Sequence, residues 1–216
     1  MGRVSKAQAQ ENRQRVVATA SRMFREKGTA VSIADLMKAA GLTHGGFHKQ
    51  FASKEDLIDE AIAHAFDEQA GHSAATVEEQ AEGCAGKGVS EGAGEHGDAG
   101  EHAAARRTMI EDYLSVWHRD HAGDGCPVSG FAADLGREPE QAVGVRPLYV
   151  NGVRNRAARL ATGDDDGLAQ LCTLVGAVAL ARATRGNPIS EELLEAARVA
   201  LVGSDPGQSE PRGYTD

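Results

Sequence analysis

Aromatic side chains are scarce in this chain: 216 residues hold 5 Phe, 3 Tyr and 1 Trp, so few positions can anchor a core or line a pocket. Cysteine is scarcer still. Cys84, Cys126 and Cys172 are odd in number, far apart and outside any C-x-x-C pair, which excludes a disulfide framework and offers no zinc-ligand spacing. No metal or other cofactor is expected. No apolar run reaches the roughly 18 residues of a membrane-crossing helix, and the opening MGRVSKAQAQENRQR lacks a signal peptide's apolar centre. The expected setting is therefore the cytoplasm, with no membrane partner. Also missing are G-x-S-x-G, P-loop and H-E-x-x-H patterns, and any carboxylate pair on an apolar helix face, so no enzymatic activity is expected. His118 and His121, three apart at a polar helix end, read as surface histidines.

What is present is an uneven charge. The net charge is −9, yet residues 1–54 hold 10 Lys/Arg against 3 Asp/Glu and the remainder holds 13 against 29. The basic N-terminal part is the electrostatic footprint of a DNA binder, while the acidic remainder keeps the rest of the molecule off phosphates.

Within that basic part, SIADLMKAAGLTHGGFHKQF from Ser32 to Phe51 reads as a helix-turn-helix. Ser32 and Asp35 form an S-x-x-D box that starts a helix, and Ile33, Leu36, Met37 and Ala40 give it one apolar face. Gly41 can take the positive φ that ends it. Leu42 plugs the corner, Thr43 caps a second helix, and Phe47 and Phe51 pin that helix to the first. Its other face carries Thr43, His44, Gly45, His48 and Lys49, a small and positively leaning surface that fits the major groove of B-DNA. Gly45 and Gly46 present no side chains, so base reading falls on Thr43, His44 and Lys49, helped by close backbone approach.

A long first helix from about Ala9 to Lys27, this segment, and then Phe51-Ala52-Ser53-Lys54-Glu55-Asp56-Leu57 together resemble the DNA-binding domain of the TetR family of bacterial transcriptional regulators, over about the first 65 residues. The resemblance implies an all-α fold: an N-terminal three-helix helix-turn-helix domain, residues 1–52, and a larger helical regulatory and dimerisation domain, residues 53–203. It implies a homodimer that binds a palindromic double-stranded DNA operator and represses until a small-molecule effector enters the second domain. It also places Ser32, Thr43, His44, Gly45, Gly46, His48, Lys49 and Lys54 at the DNA, with Lys54 on a phosphate. His48 departs from the pattern, which has a tyrosine there; a histidine can still donate to phosphate, more strongly when protonated.

Along the rest of the chain, residues 1 to about 7 read as a mobile basic arm. In the first helix Val16, Ala20, Met23, Phe24 and Lys27 follow the 3.6 period, with the arginines at 13, 15, 22 and 25 largely off that face. Ser53 and Asp56 cap the next helix. Between about Gly71 and His102 the periodicity fails, and the Gly-, Ala- and acid-rich composition predicts a flexible insertion; its doubled Gly-Glu-His reads as solvated loop. Helices are then expected around Met109 to Trp117, after Pro127, and from about Pro139 to Leu160 with a kink at Pro147. A pair of apolar helices follows, the first with Asp164 to Asp166 at its start, and a disordered tail, residues 204–216, ends the chain.

Two further site expectations concern the second domain. Tyr113, Trp117, Phe131 and Tyr149 fall close together in sequence and, with Met109, either line an effector pocket or simply pack a core. Cys126, in a Gly-Cys-Pro element at a helix start that resembles one subgroup of the family, is either a reactive thiol, making the protein a redox-sensing repressor, or a small buried cap. By resemblance the dimer interface falls on Leu168, Leu171, Val175, Ala179, Leu193, Ala197 and Leu201. The reading from a different class is a helical ligand-binding protein or enzyme without DNA function.

Overall fold

A computed structural model describes residues 6–84, 96–137, 144–163 and 165–203, with the backbone alone for residues 72–84, 96–99 and 101. The fold is all-α, and no strand occurs among the described residues. No helix among them is long and apolar enough to cross a membrane. The chain divides into two compact units, residues 1–91 with 121–154, and residues 92–120 with 155–216.

The first unit contains α1 (Lys6–Lys27), α2 (Ile33–Ala39), a 3-10 helix (His44–Lys49), α3 (Lys54–Cys84), a 3-10 turn (Ala122–Asp124) and α6 (Pro127–Arg137). Its core joins Val16, Ala20 and Phe24 of α1 with Leu36 and Met37 of α2, Phe47, Phe51, and Leu57, Ala61, Ile62 and Ala65 of α3. Phe131, Leu135 and Val145 belong to the same cluster. Apolar side chains from beyond residue 120 thus complete the core of this unit.

Arg25 is also placed differently from expectation. It is buried rather than solvated, donating to Ser21 O at 3.2 Å, Ser21 Oγ at 3.4 Å and Gly125 O at 2.9 Å, and pairing with Glu68 at 3.0 Å. A buried guanidinium is tolerated only when its N–H groups are so occupied. Gly130 makes room for it, since a Cβ there would stand 2.8 Å from Arg25 Cγ.

Helix α3 runs to Cys84 instead of stopping near Gly71. Its distal part, AATVEEQAE, lacks an apolar stripe but is rich in Ala, Glu and Gln, whose intrinsic propensity sustains a helix. On the far side α4 (His96–Tyr113) begins earlier than the apolar pattern indicated. Much of the expected 71–102 insertion is thus helical, while residues 85–95, the tail from 204 and most of the basic arm lie outside the described residues. The helix expected from Pro139 is observed as α7 (Arg146–Ala158). Pro147 is its second residue, where a missing N–H costs nothing, so it starts a helix instead of kinking one.

The second unit holds α4, α5 (Val116–Asp120), α8 (Leu168–Ala183) and α9 (Ile189–Val202), together with the end of α7. Asp165 and Asp166 cap the approach to α8, accepting from Gly167 N at 2.7 Å and Leu168 N at 3.0 Å. Gly167 has φ +77°, and a Cβ there would lie 2.0 Å from Ala157 O, so only glycine fits. The α5 carbonyls are met by arginines: Arg182 donates to His118 O at 3.0 Å and to Arg119 O at 3.2 Å, and Arg185 to Arg119 O at 3.1 Å. Arg119 in turn donates to Ser190 Oγ at 2.9 Å, tying α5 to α9.

His118 is buried in this unit, its Nδ1 2.7 Å from Tyr113 O. Burial, reinforced by the Arg182 and Arg156 charges against the favourable Tyr113 contact, lowers its pKa from 6.5 to about 4. The unfolded chain therefore binds a proton that the native imidazole refuses, so stability present above pH 6.5 falls as pH drops toward 4. Urea unfolding at a series of pH values should show this loss, on the order of 1 kcal/mol per pH unit, and His118→Asn should lack that component of the slope.

Candidate nucleic-acid interface

The helix-turn-helix is built from local chemistry outward. Ser32 is the N-cap of α2, its Oγ accepting from Asp35 N at 3.1 Å and donating to Asp35 Oδ2 at 2.7 Å. At the other end Gly41, φ +71°, donates to Lys38 O at 3.1 Å while Leu42 N reaches Met37 O at 2.8 Å. That pair of bonds is the Schellman stop, which requires a left-handed residue at the position of Gly41.

The second helix of the motif differs in kind from expectation. Residues His44–Lys49 form a 3-10 helix, and Thr43, although at its N-cap, makes no side-chain cap bond. With poorer backbone geometry than an α-helix, such a segment depends on what it packs against. Phe47 is fully buried and stacks with Phe51 at 5.4 Å between ring centroids. Arg13 holds the exit: its guanidinium lies 4.7 Å from the Phe51 centroid, Nε donates to Gln50 O at 3.3 Å, and it forms an ion pair with Glu60 of α3. The sequence showed Arg13 only as a charge off the apolar face. Its role as a tie depends on residues 37 and 47 positions away.

With Phe47 turned inward, Thr43, His44, Gly45, His48 and Lys49 are exposed together, and Gly46 is half-buried with only Met37 Cε, at 3.6 Å, near a hypothetical Cβ. Ser32 is exposed at the start of α2, as is Lys38 on the same helix, a cation the sequence reading passed over. Lys54 is half-buried in the first turn of α3, behind Ser53, whose Oγ accepts from Asp56 N at 3.0 Å. A helix N-terminus with an ammonium group suits a phosphate. Within the motif the outward surface is thus polar and largely basic, with backbone exposed at the glycines.

Residues 16–61 match the sequence model of the bacterial regulatory proteins of the tetR family. Over this segment the chain is similar to the DNA-binding domain of the tetR family. The HTH-type transcriptional regulator AcrR of Shigella flexneri is 39% identical over 61 residues, and that match spans 28% of this chain and 28% of the relative. Two solved structures share the fold over most of the chain: a TetR transcriptional regulator from Chloroflexus aurantiacus, with a TM-score of 0.61, 19% identity and 91% of this chain and 94% of that one covered, and a TetR-family regulator from Cytophaga hutchinsonii, with a TM-score of 0.54, 19% identity and coverage of 93% and 96%.

The residues expected to line an effector pocket fall in both units. Phe131 is a core residue of the first unit, and Tyr149 donates its hydroxyl to Val128 O at 2.8 Å, with burial and nearby Cys126 pushing its pKa up to about 12. In the second unit Met109 is half-buried, Tyr113 is buried and Trp117 is exposed. Cys126 is buried at the N-cap of α6, its carbonyl accepting from Gly130 N at 3.0 Å.

Gly41 offers a clean probe of the motif, because a Cβ there would meet nothing within 4 Å and the cost is conformational alone. Gly41→Ala should lower stability by about 1–2 kcal/mol in urea unfolding.

Proposed function

We propose that the chain is a DNA-binding transcriptional regulator which acts as a homodimeric repressor on a palindromic operator and is released by a small molecule. The observation that carries this reading is the exposure of Thr43, His44, Gly45, His48 and Lys49 on one short segment held by buried Phe47. Thr43, His44 and Lys49 read base edges, and Ser32, His48 and Lys54 position the domain on phosphates. Binding to duplex DNA should weaken steeply with salt, and a flat response would favour a helical protein without DNA function. Lys54→Ala should weaken binding to all sequences alike and reduce the salt slope by about one unit, whereas substitution of His44 or Lys49 should change the preferred sequence.

Dimerisation is proposed through α8 and α9. Leu168, Val175, Ala179 and Leu193 retain exposed or partly exposed surface, but Leu171 and Ala197, expected at this interface, are buried inside the protomer, and Leu201 is half-buried. The stripe turned outward on α8 is instead Leu168, Cys172, Val175, Ala179 and Leu180, continued on α9 by Ile189, Leu193, Ala196 and Val199. Leu180 is 55% exposed. Facing apolar stripes on two helices of each protomer suit a four-helix bundle between copies. Leu180→Glu should shift the protein toward monomer in sedimentation velocity while leaving its helical circular dichroism unchanged; a dimer as tight as the parent would place the interface elsewhere. Effector binding then favours a dimer state in which the two recognition segments no longer match successive major grooves, so ligand and DNA oppose each other reciprocally. Burial of Cys126 disfavours the thiol-sensing alternative.

A further inference from the structure

The segment His44–Lys49 has little of its own to fix its tilt. Thr43 supplies no side-chain cap at its start, and its backbone bonds are short-range ones, Gly46 N to Thr43 O at 3.0 Å and Gln50 N to Phe47 O at 2.8 Å. A single 3-10 stretch of this length is weak by itself. Buried Phe47 fixes where the segment sits, but one inward side chain leaves a short helix able to rock about it. A second hold lies just past the exit, where the Phe51 amide donates to Phe47 O at 3.0 Å and the two rings stack.

Arg13 of α1 closes that exit with its whole guanidinium. Nε donates to Gln50 O at 3.3 Å, Nη1 and Nη2 donate to the two carboxylate oxygens of Glu60, and the guanidinium carbon lies 4.7 Å from the centroid of the Phe51 ring. Two parallel bonds to one carboxylate fix the plane of a guanidinium. The direction of its Nε–H, and with it the place of Gln50 O, is therefore set by Glu60 on α3. Both side chains are 35% exposed, so the pair adds little to stability. What it supplies is direction.

We propose that Arg13, oriented by Glu60, is a positioning residue for DNA recognition, which sets the angle at which Thr43, His44 and Lys49 meet base edges without itself touching DNA. Hydrogen bonds to base edges weaken steeply with misalignment, whereas attraction to phosphates tolerates a small tilt. Sequence-specific binding is thus the property that depends on Arg13. A lysine there keeps the charge but has no fork, so it cannot hold Glu60 and Gln50 O in one plane. This inference rests on the DNA-binding reading of the segment.

Arg13→Lys, Glu60→Gln and the double variant of the full chain test it, against a duplex that the parent chain selects from a random library and against an unselected duplex. Arg13→Lys leaves the net charge unchanged; it should weaken binding to the selected duplex about tenfold and to the unselected one less than about twofold. Glu60→Gln decides on sign. Removing a negative charge from a DNA-binding domain tightens binding if charge alone matters, whereas loss of the fork's partner should weaken binding to the selected duplex. The double variant should weaken it no further than Arg13→Lys does. Hydrogen exchange at the Gln50 and Phe51 amides of the free protein should quicken in all three, while the melting temperature stays within about 2 °C of the parent. Parent-like affinity of Arg13→Lys, which a phosphate contact would also give, overturns the proposal. So do equal losses on both duplexes, tighter binding by Glu60→Gln, additive losses in the double variant, unchanged amide exchange, or a melting temperature that falls in step with affinity. Absence of salt-dependent DNA binding by the parent chain removes the regulator reading and this inference with it; the other contrary results remove this inference alone.

Discussion

Burial of Phe47 is the constraint on which the proposed DNA-reading surface depends. A six-residue 3-10 helix has little stability of its own, so its position is set by the side chain it sends into the core and by the stacking of Phe51 behind it. Phe24, Leu36, Met37, Leu57 and Ile62 close around that pair from three other helices. His44, His48 and Lys49 face outward because Phe47 faces inward. Binding chemistry and folding energetics are therefore properties of the same short segment.

Two arginines extend this core into a network. Arg13 joins the exit of the recognition segment to α3, and Arg25 joins the end of α1 to Gly125 and Glu68. Arg22 adds an ion pair with Asp124 at 2.9 Å. The Gly-Cys-Pro element is thus attached to the first helix of the DNA-binding domain through buried hydrogen bonds, and a displacement at residues 123–126 would have to break them or carry α1 with it. A half-satisfied buried guanidinium is costly, so carrying α1 along is the favoured response.

The second unit solves a different problem. Helix α8 is apolar nearly all the way round, so it must bury one side in its own protomer and cover the other by some means. Arg119, Arg182, Arg185 and Ser190 fix the angle at which α5, α8 and α9 meet, and so decide which stripe is turned out. That is why Leu180, and not Leu171, is exposed.

Much of this was legible in the chain itself. The S-x-x-D caps at Ser32 and Ser53, the stop at Gly41 and the paired phenylalanines are local codes, each read from a few adjacent residues, and together they specified the helix-turn-helix and its outward residues. Properties that depend on distant partners were not legible. Arg25 looked solvated until Glu68 and Gly125 were brought to it, Pro147 looked like a kink until α7 began at Arg146, and composition alone did not reveal that α3 would reach Cys84. The inward stripe of α8 is the clearest case: a helix apolar on every side carries no periodic signal to say which face is buried, so only packing against α5 and α9 could decide it. Sequence by itself determined where the helix-turn-helix starts, turns and points, because caps, glycines and 3.6-residue spacing act within a few residues. Tertiary structure decided which arginines are buried and which apolar stripe remains open, because burial is set by the whole surround.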